Sequence, residues 1–431
     1  DVFQEADITG AVESFVKYSY IVKNVEILAD TIRKAFHIAR SGRPGPVLID
    51  IPMDVQKSVI DFEYPEKCEI RSYKPTTKGN YVQVRRVMAA LEEAEKPLIC
   101  IGGGVFAAHA ENEIRKLADL MQIPVITTMM GISVFPDDDQ LFCGMIGTHG
   151  VKMANAAVNE CDVLFLVGAR VGDRAVKTPL ALEKTTKIIH IDIDPAEIGK
   201  NIGADLPLVG DAKLVLQQMT ELAKPMKHDE WIAHIKTLGG ERKYVEPAKG
   251  TVNPRVFIDR LAKKMPANVT VVADVGQNQI WTCTEYKFRK EGRLLTSGGM
   301  GTMGYSVPAA IGAKMADDSR ATVAICGDGA FQMSFMELAT AVQFGVDIKV
   351  VVMTNNRLGM VRELQTNGYH DRQTAVFLDG SPDFIKLAEA YGIPAMRVYD
   401  DDTMEKGVEM LAEHKGICLV EVVVDKDMPT L

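Results

Sequence analysis

Hydrophobic positions along the chain fall into two kinds of run that alternate. Apolar residues spaced by three and four positions, such as Val25, Leu28, Ile32, Ala35 and Phe36, predict an amphipathic helix. Short, almost continuously apolar runs are typical of parallel strands that are buried on both faces. Their alternation with helices predicts α/β domains built on parallel sheets. The predicted strands are RPGPVLIDIP, PLICIGGGV, IPVITTM, DVLFLVGAR, KIIHIDID, LPLVGD, VTVVADV, ATVAICG, IKVVVMT, AMRVYD and ICLVEVVV.

Two polar stretches, rich in charged and turn-forming residues, divide the chain into three blocks. We interpret residues 63–80 and 225–254 as linkers. The predicted domains are therefore 1–62, 81–224 and 255–431. The fold class that we predict is α/β, with three doubly wound, Rossmann-like parallel-sheet domains, of which the first and last are incomplete in this chain.

The composition of the chain argues against two kinds of binding partner, nucleic acids and membranes. There are 49 Lys and Arg against 58 Asp and Glu, for a formal net charge of −9, which argues against a nucleic-acid or anionic-membrane surface. No apolar run reaches the roughly 18 residues that cross a bilayer, so we expect a soluble protein without a membrane partner. The 7 cysteines form no CxxC pair, and we expect them to be reduced, structural thiols.

Chemistry-bearing residues gather where predicted strands end, which is where open α/β sheets bind ligands. The segment GDG at 327–329 follows one strand, and Asn355-Asn356 follows the next. Adjacent parallel strands would bring Asp328 and Asn355 to one sheet edge. A carboxylate, an amide oxygen and a backbone carbonyl suit Mg²⁺, which usually keeps phosphate oxygens as partners. A tight turn and a helix cap are the alternative, but the joint pattern favours a Mg²⁺–diphosphate site.

This pairing resembles the thiamine-diphosphate signature, in which GDG precedes Asn-Asn by one helix and one strand. Longer segments extend the likeness across nearly the whole chain, and together they resemble the catalytic large subunit of acetohydroxyacid synthase (acetolactate synthase). The segments are FQEADITG at 3–10, SGRPGPVLIDIP at 41–52, HIDIDPAEIGKN at 190–201, TSGGMGTMGYSVPAAIG at 296–312, GDGAFQMSFMELATAVQFGV at 327–346 and NNRLGMV at 355–361.

The resemblance implies thiamine diphosphate and Mg²⁺ as cofactors of the last block. It assigns Asp328, Asn355 and the main-chain oxygen of Arg357 as metal ligands. The family has one residue more between its Asn-Asn pair and the Gly-Met pair that matches 359–360. Alignment on that Gly-Met pair makes Asn355 the ligand and leaves Asn356 as the alternative.

Met303 matches the family position at which a bulky apolar side chain packs between the two cofactor rings and keeps the cofactor bent. The bend brings the 4′-amino group against C2 of the thiazolium, so that proton removal is aided by proximity. A core methionine is the alternative. The other cofactor contacts that the resemblance implies are Val275, Gly276, Gln277, Asn278, Gly301, Gly327, Asp328, Gly329, Ala330, Asn355 and Met360.

The middle block resembles the family's FAD domain, whose flavin undergoes no net redox change. The glycines at 102–104 lie between a strand and a helix, although they lack the GxGxxG spacing. Arg170 could pair with the pyrophosphate, and Asp192 with the ribose or adenine side. A turn or cap is the alternative for Asp192, and a structural or surface histidine is the alternative for His149. The implied FAD contacts are Arg43, Gly102, Gly103, Gly104, Thr128, Met129, Gly147, His149, Gly168, Ala169, Arg170, Arg174, Asp192, Ile193, Gly210, Asp211 and Ala212.

The resemblance also implies a channel for 2-keto acids such as pyruvate and 2-ketobutyrate. Arg174 is the natural partner of a substrate carboxylate, with a surface arginine as the alternative. Met53 and Leu364 stand where the family commonly has Lys and Trp, which leaves the acceptor preference open. The implied catalytic residues are Gln4 and Met303, and the implied channel residues are Phe3, Thr148, Asp173, Arg174, Met360, Val361 and Leu364.

The implied reaction is decarboxylation of pyruvate and ligation to a second 2-keto acid, which gives 2-acetolactate or 2-aceto-2-hydroxybutyrate for branched-chain amino-acid biosynthesis. We expect a homodimer or tetramer with a small regulatory subunit, in the cytoplasm or in an organelle after transit-peptide removal. The family's catalytic Glu is expected upstream of Asp1, so we expect this chain alone to be poorly active.

Two alternatives to this function stay open. One is another FAD-containing thiamine-diphosphate enzyme, such as glyoxylate carboligase or a 2-keto acid oxidase or decarboxylase. The other is a non-catalytic nucleotide-binding module, in which GDG and Asn-Asn are only turns.

Overall fold

The computed structural model describes residues 5–240 and 244–431. Its strands form a two-stranded sheet and two six-stranded sheets, and within these sheets every pair of neighbouring strands is parallel. The predicted α/β fold class is confirmed. The strands are β1 Tyr18–Ile21, β2 Val47–Asp50, β3 Pro97–Ile101, β4 Val125–Thr127, β5 Phe142–Met145, β6 Val163–Val167, β7 Lys187–Asp192, β8 Leu206–Val209, β9 Thr270–Ala273, β10 Arg293–Thr296, β11 Thr322–Gly327, β12 Lys349–Thr354, β13 Ala395–Val398 and β14 Cys418–Val423.

Helices connect and cover these strands. Within the described part of the chain, none of them is both long enough and apolar enough to span a membrane. The α-helices are α1 Ile8–Val12, α2 Leu28–Arg40, α3 Met53–Lys57, α4 Tyr81–Glu93, α5 Gly104–Ala107, α6 Glu111–Met121, α7 Lys152–Glu160, α8 Pro179–Leu182, α9 Ala212–Leu222, α10 Asp229–Thr237, α11 Pro254–Lys264, α12 Gln277–Glu285, α13 Ser306–Ala316, α14 Asp328–Phe331, α15 Leu338–Gln343, α16 Gly359–Gly368, α17 Phe384–Ala390 and α18 Asp401–Glu413, and short 3₁₀ turns lie at Val25–Ile27, Met129–Gly131 and Phe335–Glu337.

The middle sheet has the strand order β5-β4-β3-β6-β7-β8. Its central strands β3 and β6 are buried along their whole length, because apolar helices cover both faces. Helix α10 lies within the predicted linker 225–254, and its Trp231 and Ile235 pack into the core on one face of this sheet. Residues 63–80 contain no helix or strand.

The last sheet has the strand order β10-β9-β11-β12-β14-β13. Strands β9, β11 and β12 are therefore neighbours, and apolar cores fill the space on both of their faces. Because all three strands run in the same direction, the segments 274–278, 327–330 and 354–357 leave the sheet at one edge. This edge carries the candidate cofactor residues.

The first block consists of the β1–β2 sheet with α2 and two shorter helices. The helix predicted from Val25 onward is present as a 3₁₀ turn followed by α2. None of the side chains of α2 is fully buried, and Phe36 is 64 % exposed. The seven cysteines are free thiols, and burial raises the pKa of Cys100 to about 12, which makes that thiol a poor nucleophile.

Candidate cofactor site

The predicted pair Asp328 and Asn355 lies together at the edge of the last sheet. Asp328 begins α14 directly after β11, and its carboxylate accepts hydrogen bonds from three backbone N–H groups. The donors are Gly329 at 2.8 Å, Asn355 at 3.1 Å and Asn356 at 2.6 Å. The pairing of β11 with β12 thus joins the GDG turn to the Asn-Asn turn.

The buried carboxylate of Asp328 is suited to bind a cation. The residue is 2 % exposed, and burial raises its pKa to about 6, while the three N–H donors act in the opposite direction. It forms no ion pair with the residues that the structure describes, so its negative charge is not balanced by a Lys or Arg. A divalent cation bound by Asp328 and neighbouring neutral oxygens would supply that balance. Across residues 5–240 and 244–431, no three His, Cys, Asp or Glu side chains gather to hold a metal, so amide and main-chain oxygens would complete such a site.

The side-chain amide of Asn355 is held at both ends. Its Oδ1 accepts a hydrogen bond from the backbone N–H of Arg357 at 3.1 Å, and its Nδ2 donates to Gln277 Oε1 at 3.1 Å. Its amide oxygen therefore faces the turn that carries the Arg357 main chain. Asn356 has a φ of +53° and an exposed side chain.

Gln277 is engaged with protein groups. It is 4 % exposed, and besides receiving the Asn355 amide it donates to the carbonyl of Met428 at 2.8 Å and to Thr430 Oγ1 at 3.2 Å. It thereby ties α12 to the metal-site turn and to residues 425–431. Asn278 donates from Nδ2 to the carbonyls of Asp274 and Ile325.

Small residues keep the edge open to a ligand. Gly301 has a φ of +66°, and nothing lies within 4 Å of the position where a Cβ would be. A Cβ on Gly329 would lie 3.5 Å from Cε of Met303 and 2.8 Å from Leu358 Cδ2. Met303 thus packs beside the GDG turn. The glycine backbone, the apolar side chain of Met303 and the buried carboxylate of Asp328 fit a diphosphate-bearing cofactor with a metal ion.

The remaining predicted cofactor contacts lie around Asn278 and in the core. Gly276, with a φ of +145°, and Gly327 both face Asn278 Oδ1. Val275 is half-buried, and Ala330 is buried in the core.

Asp274 was not among the predicted site residues, but it lies at the centre of this edge. Its side chain is fully buried, and its carboxylate accepts hydrogen bonds from the backbone N–H groups of Val275 at 2.9 Å, Gly304 at 3.0 Å and Ser306 at 2.7 Å. The available signal was an acidic residue at the end of an apolar strand, directly before the predicted loop at 275–278.

At the corresponding edge of the middle sheet, glycines allow two loops to touch. Gly104 N–H donates to the carbonyl of Gly168 at 3.0 Å, and a Cβ on Gly104 would lie 2.7 Å from Gly168 Cα. Gly103 faces Met130, and Ala169 is buried. This close approach accounts for the glycines by packing alone, and it also presents bare backbone at the strand ends, which suits a phosphate group.

The neighbouring strand ends carry Asp192 and Asp211. Asp192 is 8 % exposed, and burial raises its pKa; its Oδ1 accepts from Asp194 N at 2.9 Å. Gly210 N donates to the carbonyl of Asp192 at 3.0 Å, and the Asp211 carboxylate caps α9 through Leu214 N at 3.1 Å. Both the predicted site and the alternative turn role of Asp192 are compatible with this geometry. Ile193 is half-buried and Ala212 is buried.

Arg43 reaches this edge from the first block. Its Nη1 lies 2.8 Å from Glu197 Oε1 and 3.3 Å from Asp194 Oδ2, so the guanidinium is already paired with carboxylates. Arg170 is exposed, and its Nη2 lies 3.9 Å from the position of a Cβ on Gly299, in the loop after β10. The predicted FAD and thiamine-diphosphate loops therefore meet, and Met129 beside Gly298 and half-buried Thr128 lie at the same junction.

The remaining candidates lie on the loops after β5 and β6 and on α16. Thr148 N donates to the carbonyl of Arg174 at 2.8 Å, and Gly147 packs on the same carbonyl. Burial lowers the pKa of half-buried His149, against the opposing charge of Glu363 on α16. Arg174 and Asp173 have side chains that are 83 % and 90 % exposed. On α16, Met360 is half-buried, whereas Val361 and Leu364 are exposed. The predicted Phe3 and Gln4 lie outside the described residues.

Comparison with known protein families gives two matches. Residues 84–219 match the model described as "Thiamine pyrophosphate enzyme, central domain", and residues 274–422 match "Thiamine pyrophosphate enzyme, C-terminal TPP binding domain". The second match covers the sheet edge with Asp274, Asp328 and Asn355. Binding of thiamine diphosphate is thus supported at the level of the domain.

Curated relatives resemble nearly the entire chain. A probable acetolactate synthase large subunit of Methanocaldococcus jannaschii is 40 % identical, over 99 % of this chain and 74 % of the relative. The acetolactate synthase large subunit of Buchnera aphidicola is 37 % identical, over 94 % and 72 %. The large subunit of acetolactate synthase isozyme 3 of Escherichia coli is 35 % identical, over 99 % and 76 %.

Proposed function

The chain belongs to the acetolactate synthase large-subunit family of thiamine-diphosphate enzymes, and we propose that it ligates two 2-keto acids. One molecule of pyruvate loses CO₂, and its remaining two carbons are joined to the keto carbon of a second 2-keto acid. The product is 2-acetolactate from pyruvate, or 2-aceto-2-hydroxybutyrate from 2-ketobutyrate. The observation that carries this proposal is the contact between Asp328 and the Asn355 turn inside the thiamine-diphosphate-binding domain.

Three groups of this chain would hold Mg²⁺: the carboxylate of Asp328, the amide oxygen of Asn355 and the main-chain oxygen of Arg357. The buried and unpaired charge of Asp328 supports the first assignment, and the orientation of the Asn355 amide supports the second. Bound thiamine diphosphate would supply a carbanion for attack on the keto carbon and an electron sink for the loss of CO₂.

The other residues of the site would bind the cofactor and the substrate, orient them and shield the reacting carbons from water. Backbone N–H groups of the turn at 327–330 and of the loop at 275–278 would contact the diphosphate, and Met303 would pack against the cofactor rings. Arg174 would bind the substrate carboxylate, since its guanidinium is exposed and only weakly paired. Met360, Val361 and Leu364 would form an apolar wall on α16 that excludes water from the reacting carbons.

We further propose that the middle domain binds FAD at the edge formed by residues 102–104, 168–170, 192 and 210–212. Bare glycine backbone and a neighbouring arginine support this assignment. A regulatory small subunit is a proposed partner, because the relatives are named large subunits. A homodimer or tetramer in the cytoplasm, or in an organelle, completes the proposal.

The test is product analysis with pyruvate in the presence of thiamine diphosphate, Mg²⁺ and FAD. We expect acetolactate. Acetaldehyde or acetate as the product would instead indicate a decarboxylase or oxidase, and no turnover by the full-length enzyme would contradict the proposal.

A substitution at Asp328 distinguishes the proposed enzyme from the alternative, a non-catalytic nucleotide-binding module. Asp328→Ala should weaken cofactor binding in a Mg²⁺ titration by at least about tenfold, or about 1.4 kcal/mol, because a charged metal ligand is lost. The control is Asp402→Ala, which removes an exposed carboxylate on α18 and should leave the affinity unchanged. Unchanged affinity in Asp328→Ala would support the module.

A further inference from the structure

Asp274 is a buried charge whose hydrogen-bond donors all come from the backbone. The residue is fully buried, and it forms no ion pair with any residue that the structure describes. A buried carboxylate is costly unless hydrogen bonds satisfy it. Here the compensation comes from the N–H groups of Val275, Gly304 and Ser306, at 2.9, 3.0 and 2.7 Å.

These bonds connect two loops on the cofactor edge. Val275 lies in the loop after β9, and the carbonyl of Asp274 accepts a further bond at 2.8 Å from Nδ2 of Asn278, in the first turn of α12. Gly304 lies in the loop after β10, 30 residues further along the chain, and Ser306 is the first residue of α13, which follows that loop. A single residue thus joins both loops at the end of β9.

The loop after β10, which Asp274 binds through Gly304 N–H, also contains Met303. Gly304 directly follows Met303, and its φ of +82° gives the chain a turn that other residues rarely adopt. Ser306 begins α13, whose preceding residue Tyr305 provides no side-chain cap. The carboxylate of Asp274 therefore does the work of a helix cap from a distant part of the chain.

We propose that Asp274 is a positioning residue whose carboxylate holds the segment 301–306, and thereby Met303, against the GDG turn. Met303 Cε lies 3.5 Å from the position of a Cβ on Gly329, so a displacement of the loop moves Met303 relative to that turn. The anchoring of the loop stands on these contacts alone. Its effect on the cofactor rests on the proposed function.

The first experiment measures the anchor in the cofactor-free, full-length protein. Asp274→Asn keeps the shape of the side chain but replaces one accepting oxygen with an NH₂ group that opposes a backbone N–H donor. We expect the amides of Gly304 and Ser306 to exchange with deuterium at least about tenfold faster, a change of about 1.4 kcal/mol. Mass spectrometry of peptides that cover 297–306 measures this exchange.

The matched control is Asp162→Asn in the middle domain. The Asp162 carboxylate also accepts two backbone N–H bonds, from Glu95 at 2.7 Å and Lys96 at 3.0 Å. It should leave the exchange of 297–306 unchanged. If Asp274→Asn does not fold, Asp274→Ser, which keeps one accepting oxygen, is measured in the same way.

The second experiment measures the consequence for the cofactor in the holoenzyme. Exchange of the C2 proton of bound thiamine diphosphate, followed by NMR, should slow at least about tenfold in Asp274→Asn and not in Asp162→Asn. The KM for pyruvate should change by less than about twofold, because the substrate contacts are elsewhere. Combined with Met303→Leu, the effect should be less than additive, since both changes act through one side chain.

Each outcome decides the proposal. Unchanged amide exchange at 297–306 would overturn it, and so would faster amide exchange with normal C2-proton exchange, because the anchor would then not reach the cofactor. If the wild-type enzyme makes no acetolactate, the proposed function is wrong, but the anchor is still tested in the cofactor-free protein.

Discussion

Three carboxylates at the ends of parallel strands show how burial sets the chemistry of a residue. Asp192, Asp274 and Asp328 are 8 %, 0 % and 2 % exposed, and each accepts backbone N–H bonds. Burial favours the neutral acid and raises the pKa of Asp192 and Asp328, whereas N–H donors favour the carboxylate. Of the three, Asp328 contacts the turn that carries the Asn355 amide and the Arg357 main chain, which we propose as its partners in a metal site.

Asp192 provides a prediction for the pH dependence of stability. Because its pKa is raised on folding, Asp192 binds more protons in the folded state than in the unfolded state, so its contribution to the free energy of unfolding falls as pH rises above about 4. Asp192→Asn cannot ionise and keeps an oxygen to accept from Asp194 N. Its free energy of unfolding relative to wild type should therefore increase between about pH 4 and pH 7, as measured by urea denaturation.

A relative loss of stability in Asp192→Asn as the pH rises would contradict the prediction.

At the scale of elements, the contact between the loops after β3 and β6 depends on glycine. A Cβ on Gly102 would lie 2.5 Å from Ala169 Cα and 2.7 Å from the carbonyl carbon of Gly168. Both neighbours are backbone atoms of a strand end and cannot rotate away. The edge of the middle sheet is thus shaped by close backbone packing between two elements.

Gly102→Ala should destabilise the protein by about 1–3 kcal/mol, because the added methyl group overpacks this contact. Gly172→Ala is the matched control, since nothing lies within 4 Å of its Cβ position. Thermal unfolding of the two variants measures the difference. Equal melting temperatures would show that the two loops separate without cost.

At the scale of the whole molecule, the middle and last domains share an interface. Asp137 accepts from Phe288 N at 2.8 Å, and its own N–H donates to the Phe288 carbonyl at 2.9 Å. Ser133 Oγ accepts from Leu294 N at 3.0 Å. Ile132 of the middle domain is part of the hydrophobic core of the last domain. These hydrogen bonds and apolar contacts join the two domains.

Asp137→Ala should lower the free energy of unfolding by about 1–3 kcal/mol, because Phe288 N–H loses its partner. Calorimetry should show one transition for the wild type and a broadened or split transition for the variant. The neighbouring Asp138 is exposed, and Asp138→Ala should behave like the wild type. A sharp and unshifted transition in Asp137→Ala would mean that the interface does not couple the domains.

Strands with long apolar runs were predictable from the sequence, whereas some of the short strands were not. Strands β3, β6, β11 and β12 consist almost wholly of apolar residues and were predicted. Strands β1, β5 and β10, with the sequences YSYI, FCGM and RLLT, were missed; each contains polar residues or a glycine and forms no continuous apolar run. Helix α10 was hidden in a charged segment, because only Trp231 and Ile235 of its residues are buried.

The sequence by itself determined the α/β class and the meeting of Asp328 with the Asn355 turn, because both follow from local apolar patterns and from strands that are consecutive in the chain. Only the tertiary structure decided that β14 lies between β12 and β13, that Gln277 binds the Asn355 amide, and that Asp274 holds the Met303 loop. Such contacts join residues far apart in the chain, and their formation depends on how the whole sheet packs rather than on any local pattern.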